Sequence, residues 1–240
     1  MSVSADSAAG RRGAVALSWS GGKDSALALW ALREELGIEP AALLTTFTAE
    51  HDRVSMHGVR RELVRAQAAA AGLPLVEVEI PAGCGNELYE QRMAAAWEQP
   101  ALVGVETMAF ADLYLEEIRA YREQRLLGAG REALFPLWGR DTAALARTFL
   151  AAGFGATLVC VDPRQLDPAF AGRAFDEALL AELPAGADPC GENGEFHSFV
   201  AAGPMLSQRI PVEVGETVER DGFAFADLLL DETIRRHARA

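Results

Sequence analysis

Short apolar runs alternate with longer stretches of mixed polarity along residues 14–140. The apolar runs are typical of buried strands, and they lie at 14–19, 41–47, 75–80, within 101–110 and at 133–135. The mixed stretches are rich in good helix formers, and they lie at 26–36, 59–71, 86–97 and 113–127. Strands interleaved with helices are typical of a parallel sheet covered by helices on both faces. The pattern therefore predicts an α/β domain.

The pattern changes from residue 141 onward. A helix at 142–152, a strand at 157–161 and a helix near 174–183 are expected first. The remaining apolar segments are short and separated by turn residues, and they predict strands at 194–200, 210–214, 217–219 and 223–225. We therefore expect a smaller α+β lobe over 141–240, after a domain over 14–140. Residues 1–13 are small and polar, which predicts a flexible N-terminal tail without a signal peptide.

Composition and charge exclude several classes of function. The 240-residue chain has a net charge of −13, which argues against a broad nucleic-acid interface. No apolar run approaches the length of a membrane span, so a protein of the cytoplasm is expected. Cys84, Cys160 and Cys190 are isolated and form no C-x-x-C pair, which argues against a zinc ribbon or an iron–sulfur site and fits a reducing compartment.

The hexapeptide Ser20–Gly21–Gly22–Lys23–Asp24–Ser25 joins the first predicted strand to the first predicted helix. Its glycines let the backbone approach an anion, and the first N–H groups of a helix favour negative charge. A Walker loop is excluded because Leu17 stands where its first glycine belongs and Asp24 follows the lysine. Either a phosphate-binding loop or an ordinary glycine-rich turn is compatible with these residues alone.

The hexapeptide resembles the PP-loop of the ATP-pyrophosphatase superfamily, whose members cleave ATP between the α and β phosphates. The resemblance implies an adenine nucleotide alpha hydrolase-like (HUP-type) fold, so that 14–140 would be a nucleotide-binding domain and 141–240 a substrate lobe. It implies ATP contacts from Ser18, Ser20, Gly21, Gly22, Lys23, Asp24 and Ser25. Lys23 would neutralise the departing pyrophosphate. Asp24 would orient the loop or hold Mg²⁺, and no other metal site is expected.

A second dense cluster is the segment Cys190–Val200, which contains Gly191–Glu192–Asn193–Gly194–Glu195–Phe196. Asn-Gly favours a type I′ hairpin turn, with the two glutamates simply in water. The other interpretation is that Glu192 and Glu195 bind a cationic amine, ammonia or a metal. Both interpretations remain open on the residues alone.

Taken together, the PP-loop, 137–141 (LWGRD), 172–176 (GRAFD) and 191–196 (GENGEF) resemble the diphthine–ammonia ligase family over about residues 15–205. The resemblance implies an ATP-dependent amide ligase that releases AMP and pyrophosphate and takes up free ammonium. Glu192 and Glu195 would act on the ammonium, and Asn193 would contact substrate. Many Arg and Ala residues against a single Lys indicate a bacterial member, whose acceptor would then differ from elongation factor 2.

Two further residues are candidates for substrate contact. His57 follows the second strand on the side where ATP is expected, although a lone histidine is more often structural. Arg140 can clamp a phosphate or carboxylate bidentately, while Asp141 suits the N-cap of the next helix. The acceptor is expected to be a small-molecule or protein carboxylate, and a homodimer is left open. The alternatives are a PP-loop tRNA-modifying enzyme and a non-catalytic ATP-binding protein.

Overall fold

The structure, a computed structural model, describes residues 13–231. The tail expected at 1–13 therefore lies outside the described residues except for Gly13, as does the end of the lobe beyond residue 231. Within residues 13–231 no helix is long and apolar enough to cross a membrane.

The first sheet has six strands and confirms the predicted parallel arrangement. Its strands are β1 (Ala14–Ser18), β2 (Ala42–Thr48), β3 (Arg53–Val54), β4 (Leu75–Ile80), β5 (Val105–Ala109) and β6 (Glu132–Leu134). The parallel strands run in the order β4, β2, β1, β5, β6. The short β3, which the sequence pattern did not predict, pairs antiparallel with the end of β2.

Six α-helices connect and cover the strands of the described chain. They are α1 (Lys23–Trp30), α2 (Arg61–Ala71), α3 (Asn86–Trp97), α4 (Glu116–Gly128), α5 (Thr142–Ala151) and α6 (Glu177–Glu182). Helix α1 starts at Lys23, three residues earlier than predicted, so the second half of the hexapeptide already forms its first turn. Asp141 caps α5 by accepting the N–H of Ala144 at 2.7 Å, which confirms its predicted N-cap role.

The second sheet is antiparallel and has four strands in the order β8, β7, β10, β9. These strands are β7 (Gly155–Val161), β8 (Phe196–Ala202), β9 (Val212–Arg220) and β10 (Phe223–Leu230). The prediction of separate strands at 210–214 and 217–219 was wrong. Gly215 and Glu216 lie where the pairing of β9 with β10 shifts register, and this bulge lets one strand run through the glycine.

The two sheets share one hydrophobic core. Leu17 of β1, Leu63 of α2, Phe149 of α5 and Phe199 of β8 are all fully buried in the same cluster. The strand β8 also lies directly against the loop after β1, where Val200 N–H donates to Gly21 O at 2.9 Å. The second sheet therefore forms one wall of the region beyond the carboxyl ends of the parallel strands, where ligands of such folds bind.

Candidate active site

The phosphate loop, residues 20–25, leaves the carboxyl end of β1 and enters α1. Gly21 has a φ of +80°, and a Cβ there would lie 2.6 Å from the side-chain oxygen of Gln67. A Cβ on Gly22 would lie 3.0 Å from the backbone oxygen of Ser198. The left-handed φ of Gly21 favours a glycine, whereas Gly22 has a φ of −86° and is favoured by close packing alone.

Gln67, which is fully buried, holds the loop from the side of α2. Its side-chain oxygen accepts the indole N–H of Trp19 at 3.0 Å. Its amide nitrogen donates to Gly21 O at 2.9 Å and to Val200 O at 2.7 Å. One side chain thus fixes the loop to β1 and to β8. No local sequence signal predicts this role, since a lone glutamine on an amphipathic helix belongs to no motif.

The ammonium group of Lys23 is held by protein atoms. Its Nζ donates to both carboxylate oxygens of Asp24 at 2.7 Å and to the backbone oxygen of Cys190, and its side chain is 2% exposed. The rings of Phe196 and Phe175 lie 5.6 and 6.0 Å away. Burial acts to lower the pKa of Lys23, but the attraction of Asp24 outweighs it and the pKa is raised. The ammonium thus joins the phosphate loop to the segment at 190–196, and contact with a phosphate requires it to exchange a partner.

Glu195 organises the segment that contains it. It is 1% exposed, and its oxygens accept the backbone N–H groups of Asp188 at 2.8 Å and Asn193 at 3.0 Å, together with the Asn193 side-chain amide at 3.0 Å. The hairpin interpretation was wrong, because α6 and an irregular segment precede β8 and the glutamates are not in open water. The geometry assigns Glu195 to positioning the loop.

Glu192 is the glutamate that faces the cavity described below. Its Oε1 accepts the backbone N–H of Leu113 at 2.7 Å. Burial, with a contribution from the nearby charges of Asp24 and Asp112, raises the pKa of Glu192 to about 7. A carboxyl group with this pKa exchanges protons near neutral pH, as a general base or acid requires.

A cavity of about 840 Å³ opens beyond the carboxyl ends of β1, β2 and β5. Several sequence-predicted site residues line it, namely Ser18, Ser20, Gly22, Lys23, Asp24, Ser25, His57 and Glu192. The others do not, namely Gly21, Asn193, Glu195 and Arg140. Gly21 and Glu195 support residues that do line the cavity. Asn193 is exposed and accepts the hydroxyl of Tyr114 at 3.0 Å.

Arg140 lies away from this cavity. Its guanidinium pairs bidentately with Glu35 at 2.9 and 2.5 Å and also donates to Pro136 O at 2.9 Å. This ion pair ties the segment before α5 to the helical turn Ala31–Glu35, which continues α1. The position gives no support to the expectation that Arg140 binds substrate.

His57 has a partner that the sequence analysis overlooked. The ring of His197, from β8, lies 4.2 Å from the ring of His57 between centroids, and both rings line the cavity. Burial lowers the pKa of His57 to about 4 and that of His197 well below its ordinary value. Both imidazoles are therefore neutral at physiological pH. The residues are too far apart in sequence for any local pattern to have paired them.

The chemistry of the cavity suits Mg²⁺ only together with a phosphate ligand. Asp24 and Glu192 offer carboxylate oxygens, the hard ligands that Mg²⁺ prefers. Within residues 13–231 no group of three or more His, Cys, Asp or Glu side chains is arranged to hold a metal ion. Magnesium sites for nucleotides typically use one or two carboxylates plus substrate phosphates. Asp24, within the phosphate loop, fits such a site once its oxygens release the ammonium of Lys23.

The chain is similar to known proteins over most of its length. The profile of the diphthamide synthase N-terminal domain matches residues 13–127, and that of the diphthamide synthase C-terminal domain matches residues 141–228. The chain belongs to the diphthamide synthase family. A diphthine–ammonia ligase of Danio rerio is 28% identical over 231 residues, covering 86% of this chain and 89% of that protein. A diphthine–ammonia ligase of Homo sapiens is 33% identical over 95 residues, covering 38% of this chain and 36% of that protein.

Residues of the site lie in the stretches matched by both family profiles. The phosphate loop and His57 lie in the stretch matched by the N-terminal profile. The segment 190–196 and His197 lie in the stretch matched by the C-terminal profile. The two stretches that the family profiles match therefore contain both parts from which this cavity is built.

Proposed function

We propose that the protein is an ATP-using ligase that converts a carboxylate into an amide with ammonia. The observation that carries the proposal is the shared cavity: the phosphate loop and the carboxyl group of Glu192 face the same space. Similarity to diphthine–ammonia ligases supports the same class of reaction. ATP would be the energy source, and the acceptor would be a small-molecule or protein-borne acid.

In the first step a carboxylate oxygen of the acceptor attacks the α-phosphorus of ATP. A P–O bond to the acceptor forms, the bond between the α-phosphorus and the bridging oxygen breaks, and pyrophosphate leaves with the bonding pair. The backbone of Gly22 and the hydroxyls of Ser20 and Ser25 lie where they can bind that leaving group. Mg²⁺ would neutralise phosphate charge when bound, and Asp24 would hold it.

In the second step ammonia attacks the carbonyl carbon of the acyl adenylate, and AMP leaves. Ammonium must lose one proton to become a nucleophile, and the adding nitrogen must lose a second as the amide forms. With a pKa of about 7, Glu192 is half ionised near neutral pH and can accept such a proton. Glu195 would act on the reaction only by holding the loop that carries Glu192.

The proposal is tested by incubating the protein with ATP, ¹⁵N-ammonium and a cell metabolite or protein extract. We expect AMP and pyrophosphate to form in equal amounts, together with a product that carries the label. With unlabelled ammonium the product should be one mass unit lighter than its parent acid, since NH₂ replaces OH. Formation of ADP and orthophosphate, or ATP cleavage without incorporation of nitrogen, would contradict the proposal.

A further inference from the structure

One part of the cavity takes no part in the steps above. On α3, Tyr89, Met93 and Trp97 recur at every fourth position and therefore share one face of the helix. On α4, Arg122 and Arg125 lie about one turn apart. All five side chains line the cavity, and we call this part the α3–α4 arm.

The two helices of the arm bury very little. Within α3 only Ala96 is buried, and within α4 only Leu126. Helices of this length on a globular protein normally bury an apolar stripe against the core. Met93 and Trp97 are partly buried against a core cluster that includes Ala96 and Leu102, and the guanidinium of Arg131 stacks on Trp97 at 4.1 Å. The remaining surface of Tyr89, Met93 and Trp97 borders the cavity. A ligand with an apolar body would cover it.

The guanidinium of Arg122 retains unused hydrogen-bonding capacity. It stacks on Phe110 at 4.2 Å, and its Nη2 donates to Asp112 Oδ1 at 3.1 Å. Its Nε lies 2.7 Å from Asp112 Oδ2, and both atoms are buried. The angle between them is poor for a hydrogen bond, and within residues 13–231 neither atom has another hydrogen-bond partner. A guanidinium offers five N–H donors in a planar fork. Since Nε and one N–H of Nη2 face Asp112, Arg122 would bind an added carboxylate or phosphate group through the other N–H groups of Nη1 and Nη2.

Arg125 is equally available. Its ion pair with Glu90, at 2.6 Å, joins two side chains that are each nearly half exposed. Such a pair contributes little to stability, so an incoming anion can replace Glu90 at small cost. The guanidinium also lies 5.2 Å from the ring of Tyr121. Glu90 and Asp112 also line the cavity and balance the two guanidinium charges, so an anionic ligand binds here by displacing Glu90 and by using the remaining donors of Arg122.

We propose that the α3–α4 arm binds the acceptor, and that the acceptor is an organic acid with a second anionic group. The inference rests on the proposed ligase function. The second anionic group binds Arg122 and Arg125, and the carbon chain packs on Tyr89, Met93 and Trp97. The carboxylate that reacts then points toward the phosphate loop. An acid without the second anion leaves Arg122 and Arg125 with their protein partners, Asp112 and Glu90.

A matched series of five-carbon acids tests the charge requirement. Glutarate, valerate and 5-aminovalerate end in a carboxylate, a methyl group and an ammonium group respectively. Binding is measured by calorimetry with α,β-methylene ATP present, because this analogue resists cleavage between the α and β phosphates. Dicarboxylates of four to seven carbons extend the series in length. A short peptide with adjacent glutamates tests the protein-borne form of the same chemistry.

We expect at least one dicarboxylate or the glutamate peptide to bind about tenfold or more tightly than valerate, with 5-aminovalerate weakest, because bidentate Arg–carboxylate contacts are strong. Arg122→Gln and Arg125→Gln should each remove that preference and leave the affinity for the ATP analogue unchanged. Arg119→Gln is the control on the same helix. Its guanidinium pairs with Glu123 at 2.7 Å and stacks on Phe135 and Trp138, outside the cavity. Unfolding midpoints of all variants verify folding.

Equal binding of the three five-carbon acids, or no binding of any dicarboxylate or the peptide, would overturn the inference. So would a loss of nucleotide affinity in Arg122→Gln, since the arm would then hold part of the nucleotide. These outcomes do not contradict the proposed ligase function if AMP still forms with another acid. Conversely, the expected binding pattern without AMP formation would contradict the ligase function but not the binding of an anion by the α3–α4 arm.

Discussion

The backbone N–H of Lys23 donates to the hydroxyl of Ser198 at 3.1 Å, across a sequence separation of 175 residues. The first residue of α1 is therefore positioned by a strand of the other sheet. The loop that would hold phosphates gains its shape from residues at both ends of the described chain.

Ser198→Ala removes the acceptor for the Lys23 N–H. Because this donor is buried, we expect a loss of about 1–2 kcal/mol in the free energy of unfolding and a higher KM for ATP. Urea unfolding and steady-state kinetics measure the two effects. Ser207→Ala, at an exposed serine, is the control and should change neither. A normal KM in Ser198→Ala would show that the contact does not shape the phosphate loop.

Lys23→Ala should lower pyrophosphate formation by about 100-fold or more, by analogy with the loss of one preorganised donor. The sequence alone predicts no loss of stability in this variant, whereas the ion pair of Lys23 with Asp24 predicts one. Removing Lys23 leaves a carboxylate that is 28% exposed without its cation. We expect a loss of about 1–3 kcal/mol, less than for a fully buried pair.

The double variant Lys23→Met with Asp24→Asn separates the two effects. It should recover most of the lost stability, since no unpaired charge remains, while activity stays low. Chemical unfolding and pyrophosphate release provide the comparison. If the double variant also recovers activity, Lys23 acts on stability alone.

Glu192→Gln should stabilise the protein at alkaline pH and abolish amide formation. The pKa of Glu192 is raised from 4.5 to about 7 in the folded state, so the folded protein binds more protons than the unfolded chain between these values. Stability from this group is present below pH 4.5 and is lost as pH rises through 7. We compare the free energy of unfolding of the variant with that of the unchanged protein. With allowance for solvent screening, this difference should be about 1–2 kcal/mol more favourable to the variant at pH 8 than at pH 4.

Unfolding at several pH values measures this gain, and carbon NMR of the Glu192 carboxyl gives its pKa directly. A pKa near 4.5, or an unchanged pH profile in the variant, would contradict the assignment of Glu192 as the proton acceptor.

Glu195→Gln should have the opposite effect on stability. Its carboxylate accepts N–H groups at both oxygens, and the NH₂ of a glutamine would face a donor at one of them. We expect a loss of about 1–3 kcal/mol and faster hydrogen exchange at the amides of Asp188 and Asn193. ATP affinity should change little. Stabilisation by this variant would show that Glu195 does not organise the loop.

The adjacent imidazoles of His57 and His197 should make the protein sensitive to acid. The pKa of His57 is lowered to about 4, so below pH 6.5 the unfolded chain takes up protons that the folded state does not. Stability should therefore fall as pH drops from 6.5 toward 4. The double variant His57→Phe with His197→Phe should flatten this dependence, as measured by unfolding midpoints. An equally steep dependence in the variant would assign the effect to other groups.

Local sequence signals predicted five of the six strands of the first sheet, its helices and the phosphate loop, because each depends on neighbouring residues. The apolar run before Ser20 and the glycines after it specify a strand and a turn without help from distant contacts. By contrast, the sequence pattern predicts a strand end before Gly215, where β9 continues through a bulge. A bulge depends on the pairing with the neighbouring strand, so local residues do not predict it.

The site was predicted only where a motif marked it. Glu192 and Glu195 are equivalent in the motif, and only their surroundings in the fold distinguish them. Glu192 lines the cavity, whereas Glu195 is buried and bonded to its own loop. Gln67 and His197 act through contacts with residues far away in sequence. Such contacts are set by the packing of the two sheets, which no local pattern encodes.

The shared core has a consequence for how the polypeptide can be divided. Leu17 and Leu63 pack in one cluster with Phe149 and Phe199, so a cut between residues 128 and 141 would expose apolar surface on both fragments. Neither fragment should be a soluble, independent unit. Produced together as separate chains, they should reassociate, with the strand β8 restoring the shape of the glycine-rich turn in its partner.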